Sequence, residues 1–210
     1  VTGRRGRRLF PGTPRELARV VSRVSGLRVE VLGGSMVLTR TDCPTRAETV
    51  RLLVDELAYG SPAAAPVVER AAPLAMPFDA DDFAVPDLVL RTPVGRSPEP
   101  GRSPEPRRSP GPGRMLDTHE VALAVEVVPR QEKAPEPAQR PAWYAVACVP
   151  VLLVVDPRCG TWAVHSRPEH GRYRVRRQGA YGEDVVLPEP LRGPVGTARL
   201  PLHGAGGPGM

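Results

Sequence analysis

The eight residues Val121-Ala-Leu-Ala-Val-Glu-Val-Val128 decide how this chain folds. Seven of them are apolar and half are valine, in a run too short for a membrane span and too β-branched for a helix. A nearly continuous apolar run of this length marks a central strand covered on both faces. Glu126 sits inside it. Strand alternation places Ala122, Ala124, Glu126 and Val128 on one face, so small residues lead up to a carboxylate. An ionised carboxylate there is costly unless it is paired or holds a metal. Two readings stay open: a strand-end Glu that reaches solvent or pairs with an arginine, and a ligand.

Working outward, a helix is expected over about 140–147, then a buried strand Val151–Val155 closed by Asp156-Pro157. Trp162–His165 and Tyr173–Val175 read as a closing hairpin, and both Trp143 and Trp162 as core residues. Upstream, Asp87 follows Pro86 and heads the apolar segment Asp87-Leu88-Val89-Leu90, either as a turn-terminating strand-start Asp or as a second ligand. Short extended segments are expected at Val67-Val68 and Leu74–Met76. Thr45-Arg46-Ala47-Glu48 has the pattern of a capping box, opening a helix with Val50, Leu53, Val54 and Leu57 on one face. Leu27, Val29 and Val31 alternate with Arg28 and Glu30 as a half-buried strand, Gly33-Gly34 makes a hairpin turn, and Met36–Leu38 returns. Thr13-Pro14-Arg15-Glu16 is a capping box for a first helix with Leu17, Val20, Val21 and Val24 on its apolar face. Helices and strands alternate, so the expected class is α/β (α+β): a mixed central β-sheet flanked by helices.

The 210 residues carry a formal charge of +6, which invites a nucleic-acid reading. The excess is local. Arg4, Arg5, Arg7 and Arg8 lie in residues 1–12, and five more arginines lie in 95–114, against Glu99 and Glu105. The remaining 20 basic and 21 acidic residues give −1. Residues 95–114 repeat Arg-Ser-Pro-Glu-Pro from Arg96 and Arg102 and Arg-Ser-Pro-Gly-Pro from Arg108; six prolines exclude helix and ladder, leaving polyproline II or disorder. The expected organisation is a disordered basic arm (1–12), a single domain (13–200) interrupted by the repeat at 95–114, and a flexible tail (201–210). Lys133 is the only lysine, and Cys43, Cys148 and Cys159 lack zinc spacing, so a cytoplasmic protein without disulfides is expected. No run is long and apolar enough to cross a membrane, and no apolar segment follows the basic start as in a signal peptide. His119, His165, His170 and His203 lack ligand spacing. Asp79, Asp81 and Asp82 form an acidic loop without the glycine and terminal Glu of an EF-hand. Arg172, Arg174 and Arg176 read as a solvated strand face or one that meets phosphate.

Two carboxylates on adjacent strands, Asp87 and Glu126, would suit Mg²⁺ or Mn²⁺, hard ions that take carboxylate oxygens and often work on phosphate. Pro86-Asp87 followed by Glu126-Val127-Val128 on a strand resembles the PD-(D/E)XK nuclease core. The ordered set of Glu30 with Gly34, VPDLVL from Val85, LAVEVVP from Leu123, Tyr144-Ala145 and LLVVDP from Leu152 resembles the Uma-two-type restriction-endonuclease-like family over about residues 14–190. The 39-residue separation of Asp87 and Glu126 becomes 19 when the repeat is excised, so the repeat fills a loop between core strands.

The resemblance implies a restriction-endonuclease-like fold and a Mg²⁺- or Mn²⁺-dependent endonuclease that hydrolyses DNA phosphodiesters. Asp87 and Glu126 would hold the metal, with Glu30 assisting from the hairpin. The family's lysine falls on Arg140, which cannot serve as a base. Glu136 matches the acid before it, and Lys133 is out of register. Ser35 replaces a hairpin acid, no histidine opens the second helix, and Pro129-Arg130-Gln131 replaces a Ser-Pro-Ser turn. These departures set a second expectation beside the first: a non-catalytic nuclease-fold module that binds nucleic acid or protein. DNA is the expected partner, and a homodimer stays open.

Overall fold

The computed structural model describes residues 12–59, 67–91, 115–130, 139–189, 191 and 193–204. The basic arm, the repeat, Lys133, Glu136 and the end of the tail lie outside the described residues. The elements run α1 (Pro14–Ser25), β1 (Arg28–Leu32), β2 (Ser35–Thr39), α2 (Pro44–Tyr59), β3 (Val67–Arg70), β4 (Leu74–Met76), β5 (Asp79–Ala84), β6 (Leu88–Arg91) and β7 (Leu116–Asp117). After a short 3₁₀ turn come β8 (Val121–Val127), α3 (Gln139–Val146), β9 (Val151–Asp156), β10 (Thr161–Glu169), β11 (Arg172–Ala180), β12 (Val185–Val186) and β13 (Pro194–Val195).

The decisive run is the strand β8, buried along its whole length. It lies inside a six-stranded mixed sheet of order β11-β10-β9-β8-β6-β3, parallel to β9 and antiparallel to β6. Its two faces explain its composition. Leu123, Val125 and Val127 pack in a core with Val50, Leu53 and Leu57 of α2. Ala124 packs on the other face with Trp143 and Tyr144 of α3. The helix α3 starts at Gln139, as the sequence implied, and both tryptophans are buried.

Beside this mixed central sheet stand a five-stranded sheet of order β2-β1-β5-β4-β7 and a two-stranded one of β12 and β13. The five-stranded sheet depends on β5. Asp79, Asp81 and Asp82, read as a loop, are a strand that joins β1 to β4. Asp82 earns its place through both carboxylate oxygens: Trp143 Nε1 donates to one at 2.6 Å and Gly33 N to the other at 2.9 Å. Gly33 and Gly34 both have positive φ, 58° and 79°, as a two-residue hairpin turn requires.

Two local readings differ from the structure. The first capping box forms at Thr13 and Glu16, but α1 turns Leu17, Val20 and Val24 outward and buries Ala18, so its packed side is rotated from the expected face. At α2 the helix begins one residue early, at Pro44, and Glu48 is drawn to Arg51 Nη2 at 2.7 Å instead of capping.

Candidate active site

The alternating residues of β1 form the expected strand, and neither of its faces meets water. All five residues of β1 are buried, because α1 and Phe83 cover the valine face while Arg28 and Glu30 turn into the main sheet. Glu30 is fully buried, and its Oε1 accepts from Val85 N at 2.8 Å. Asp87 immediately precedes β6, where the antiparallel register with β8 brings it beside the end of that strand: Asp87 N donates to Val125 O, and Val127 N donates to Asp87 Oδ2 at 2.7 Å. Glu126 lies on β8 itself. The structure thus brings together all four residues singled out from the sequence: Glu30, Asp87, Glu126 and Arg140.

Arg140 stands on the first turn of α3 and ties two of the acids. Its Nη2 donates to Glu30 Oε2 at 2.7 Å, and its Nη1 reaches Glu30 Oε1 at 3.0 Å and Glu126 Oε1 at 3.2 Å. One turn on, the Tyr144 hydroxyl donates to Glu126 Oε1 at 2.6 Å. Two arginines complete the cluster, and both were missed from sequence. Arg46 of α2 clasps Asp87 Oδ1 through Nε at 2.8 Å and Nη2 at 2.6 Å. Arg28 donates from Nη1 to Val85 O at 2.7 Å and faces all three carboxylates at longer range. Arg28 carried a signal after all: it shares a strand face with Glu30, two residues away, so whatever buries one buries the other. Arg46 carried none: it lies on α2, 41 residues before Asp87.

Electrostatically the site is closed on itself. Three carboxylates meet three guanidiniums, all in or near the interior. Burial works to raise the Glu126 carboxyl, but the guanidiniums of Arg140 and Arg28 outweigh it and hold the pKa below the usual glutamate value. Burial pushes the Asp87 carboxyl upward against the pull of Arg28 and Arg46. Tyr144 is held well above the ordinary phenol range by burial and by the neighbouring carboxylates. Burial opposes the charge of Arg140, yet Glu126 and Glu30 raise its pKa further, so it stays a cation at any working pH.

A cavity of about 700 Å³ opens against the cluster. Arg28, Glu126 and Arg140 form one part of its wall, and Val154, Trp162 and Arg176 of the sheet form another. Among the described residues, His165 lies on β10 against Tyr173, Arg176 lines the cavity, and neither touches an acid of the cluster.

No family model matches the chain, and no curated protein is similar to it. Among solved structures, it resembles a protein of Anabaena variabilis ATCC 29413 described as a "putative nuclease belonging to DUF820". The likeness has a TM-score of 0.58 at 13% identity and covers 76% of this chain and 81% of that one. The fold is restriction-endonuclease-like. At this identity the match speaks for architecture; the chemistry has to be argued from the cluster itself.

The oxygen donors suit a hard divalent cation. The Arg28 guanidinium, itself a cation, lies between Asp87, Glu126 and Glu30. Among the described residues, no group of three or more acids, histidines or cysteines is placed to hold a metal ion.

Proposed function

We propose that this chain is a nuclease-type hydrolase that cleaves DNA phosphodiesters with Mg²⁺ or Mn²⁺ held by Asp87 and Glu126. The observation that carries this reading is the burial of Glu30, Asp87 and Glu126 around the Arg28 guanidinium, with Glu126 at the wall of a cavity. Three carboxylates concentrated in a core are expensive to desolvate. When bound, such an ion supplies Lewis-acid stabilisation of charge on a phosphoryl oxygen and lowers the pKa of water.

The chain's own groups have defined tasks in this reading. The Tyr144 hydroxyl and Arg140 fix Glu126 Oε1, which leaves Oε2 as the oxygen free of short hydrogen bonds. The lowered pKa keeps Glu126 ionised at neutral pH. Arg140 lines the cavity, holds Glu30 and Glu126 in register, and can lend positive charge to a phosphate; proton removal is closed to it. Val127 N and Arg46 position Asp87 from the other side.

The test is relaxation of supercoiled plasmid in Mg²⁺ or Mn²⁺, with EDTA and Glu126→Gln as controls. Metal-dependent nicking that disappears in Glu126→Gln supports the proposal, and nicking unchanged in that variant removes it. Salt-sensitive retention of DNA without any cleavage would instead support the non-catalytic module.

A further inference from the structure

Arg28 differs from the other two arginines of the cluster in the quality of its contacts. Arg46 and Arg140 make hydrogen bonds of 2.6–2.8 Å to Asp87 and Glu30. Arg28 approaches the acids at 3.4 Å (Asp87 Oδ1), 3.5 Å (Glu126 Oε2) and 3.8 Å (Glu30 Oε2). Its one short bond is to the Val85 carbonyl at 2.7 Å, and its Nε is buried without a hydrogen-bond partner. Among the described residues it is nevertheless the side chain that lies within 4 Å of all three acids. A guanidinium held at the centre of three charges, with one long hydrogen bond to them (Nη1 to Asp87 Oδ1, 3.4 Å), is placed there more by Coulomb attraction than by directed hydrogen bonding.

We infer that Arg28 is a resident cation that competes with a divalent metal for the carboxylate site, so that the ion enters only when this side chain leaves. The inference rests on the nuclease reading for the identity of the competing ion; its evidence is the position of Arg28. The charge count gives it direction. Three carboxylates against Arg28, Arg46 and Arg140 sum to zero, and a divalent ion added to that set would leave two uncompensated positive charges in the interior. Without Arg28 the set is −1, and the same ion finds a net negative shell. Glu126 Oε2 would then also be released, since Arg28 is its ion-pair partner.

The experiment is calorimetric titration of the full chain with MnCl₂ and MgCl₂, comparing wild type, Arg28→Met and Arg46→Met. Arg28→Met is expected to bind Mn²⁺ at least about tenfold more tightly than wild type, because a full unit of like charge is removed within contact distance. Arg46→Met removes the same charge but keeps the guanidinium between the acids, so its gain is smaller. Adding Glu126→Gln to Arg28→Met is expected to abolish the gain.

Equal affinity in wild type and Arg28→Met, or no binding by either, overturns the inference; an equal gain in Arg46→Met shows that net charge alone acts and overturns it as well. If Arg28→Met fails to fold, Arg28→Gln, neutral but still polar, is titrated in its place, and equal affinity to wild type or no binding by either again overturns the inference. Plasmid cleavage is scored separately, so a failure of the nuclease reading and a failure of this one look different.

Discussion

Replacing Arg140 by methionine tests whether the cluster is held by charge. The side chain of Arg140 is 17% exposed and that of Glu30 is 0% exposed, so the ion pair between them is essentially interior. Removing the guanidinium strips Glu30 of two hydrogen bonds and Glu126 of one. Glu30 keeps only Val85 N at 2.8 Å and the distant Arg28 at 3.8 Å. Unpairing one partner of a buried salt bridge costs about 3–5 kcal/mol. A single unit-charge pair at contact and an effective dielectric near 20 is worth roughly 4 kcal/mol, which agrees. Against a usual total stability of about 5–15 kcal/mol this is a large loss.

Glu30→Gln alone should cost less, about 1–2 kcal/mol, because Arg140 keeps Glu126 and some solvent. The double variant should cost far less than the sum of the two, since the neutral amide no longer needs a cation. Urea unfolding followed by tryptophan fluorescence reads this directly: Trp143 lies three residues from Arg140 and donates to Asp82. The midpoint of Arg140→Met should fall by about 1–3 M at an unchanged m-value. A loss below about 1 kcal/mol, or additive effects in the double variant, would refute the view that Arg140 neutralises a buried acid.

Other predictions follow from individual contacts. Tyr144→Phe frees Glu126 Oε1 from its shortest bond and should cost about 1–3 kcal/mol in urea unfolding while leaving the fold's circular dichroism intact. Burial raises the phenol pKa of Tyr144, Tyr173 and Tyr181, so stability is retained below about pH 10, where unfolded tyrosine begins to ionise, and is lost as pH climbs beyond it. Absorbance titration near 295 nm should accordingly show these phenols ionising together with unfolding; smooth titration near pH 10 in the folded protein would contradict their burial. At Gly179 an added Cβ would fall 2.5 Å from the Trp162 ring, so Gly179→Ala should displace the indole that donates to Ala180 O, shift the tryptophan emission and lower the melting temperature. Leu153→Ala empties a fully buried position beneath α2 and should cost about 2–5 kcal/mol by chemical denaturation.

The central strands were legible because their burial leaves a mark that local composition cannot hide. The run 121–128 could hardly be anything but a strand between two packed layers, and the lone Glu126 in it had to have a reason. The same logic found Asp87 beside it. Where the pattern misled, the cause was a second layer that local sequence cannot announce. Alternation in 27–31 separates valines from charged residues, and it is silent on whether the charged face meets water or other charges. In β1 it meets Asp87 and Glu126, so the polar face is interior too. Asp79, Asp81 and Asp82 hid a strand for a related reason: Asp82 is satisfied by Trp143 and by the Gly33 backbone, both far away in sequence. Of the two readings left open for Glu126, pairing with arginine is realised, through Arg140 and Arg28.

That pairing changes how the missing lysine should be understood. An ammonium is a compact point charge and can give up its proton when buried, whereas a guanidinium is planar, permanently charged and able to bridge two acids at once. At position 140 this bridging links Glu30 on one sheet to Glu126 on the other, so the arginine also joins two layers of the fold. A lysine there could reach both acids only by dividing shorter-ranged contacts between them, and would leave part of the carboxylate pair unmet. Arginine at position 140 therefore offers a structural tie and no base. With Arg28 and Arg46 in the same cluster, the acid-rich centre carries its own cations. In the proposed reading, hydrolysis would begin from that neutral state, and the behaviour of Arg28, more than the identity of residue 140, would set whether an ion can enter.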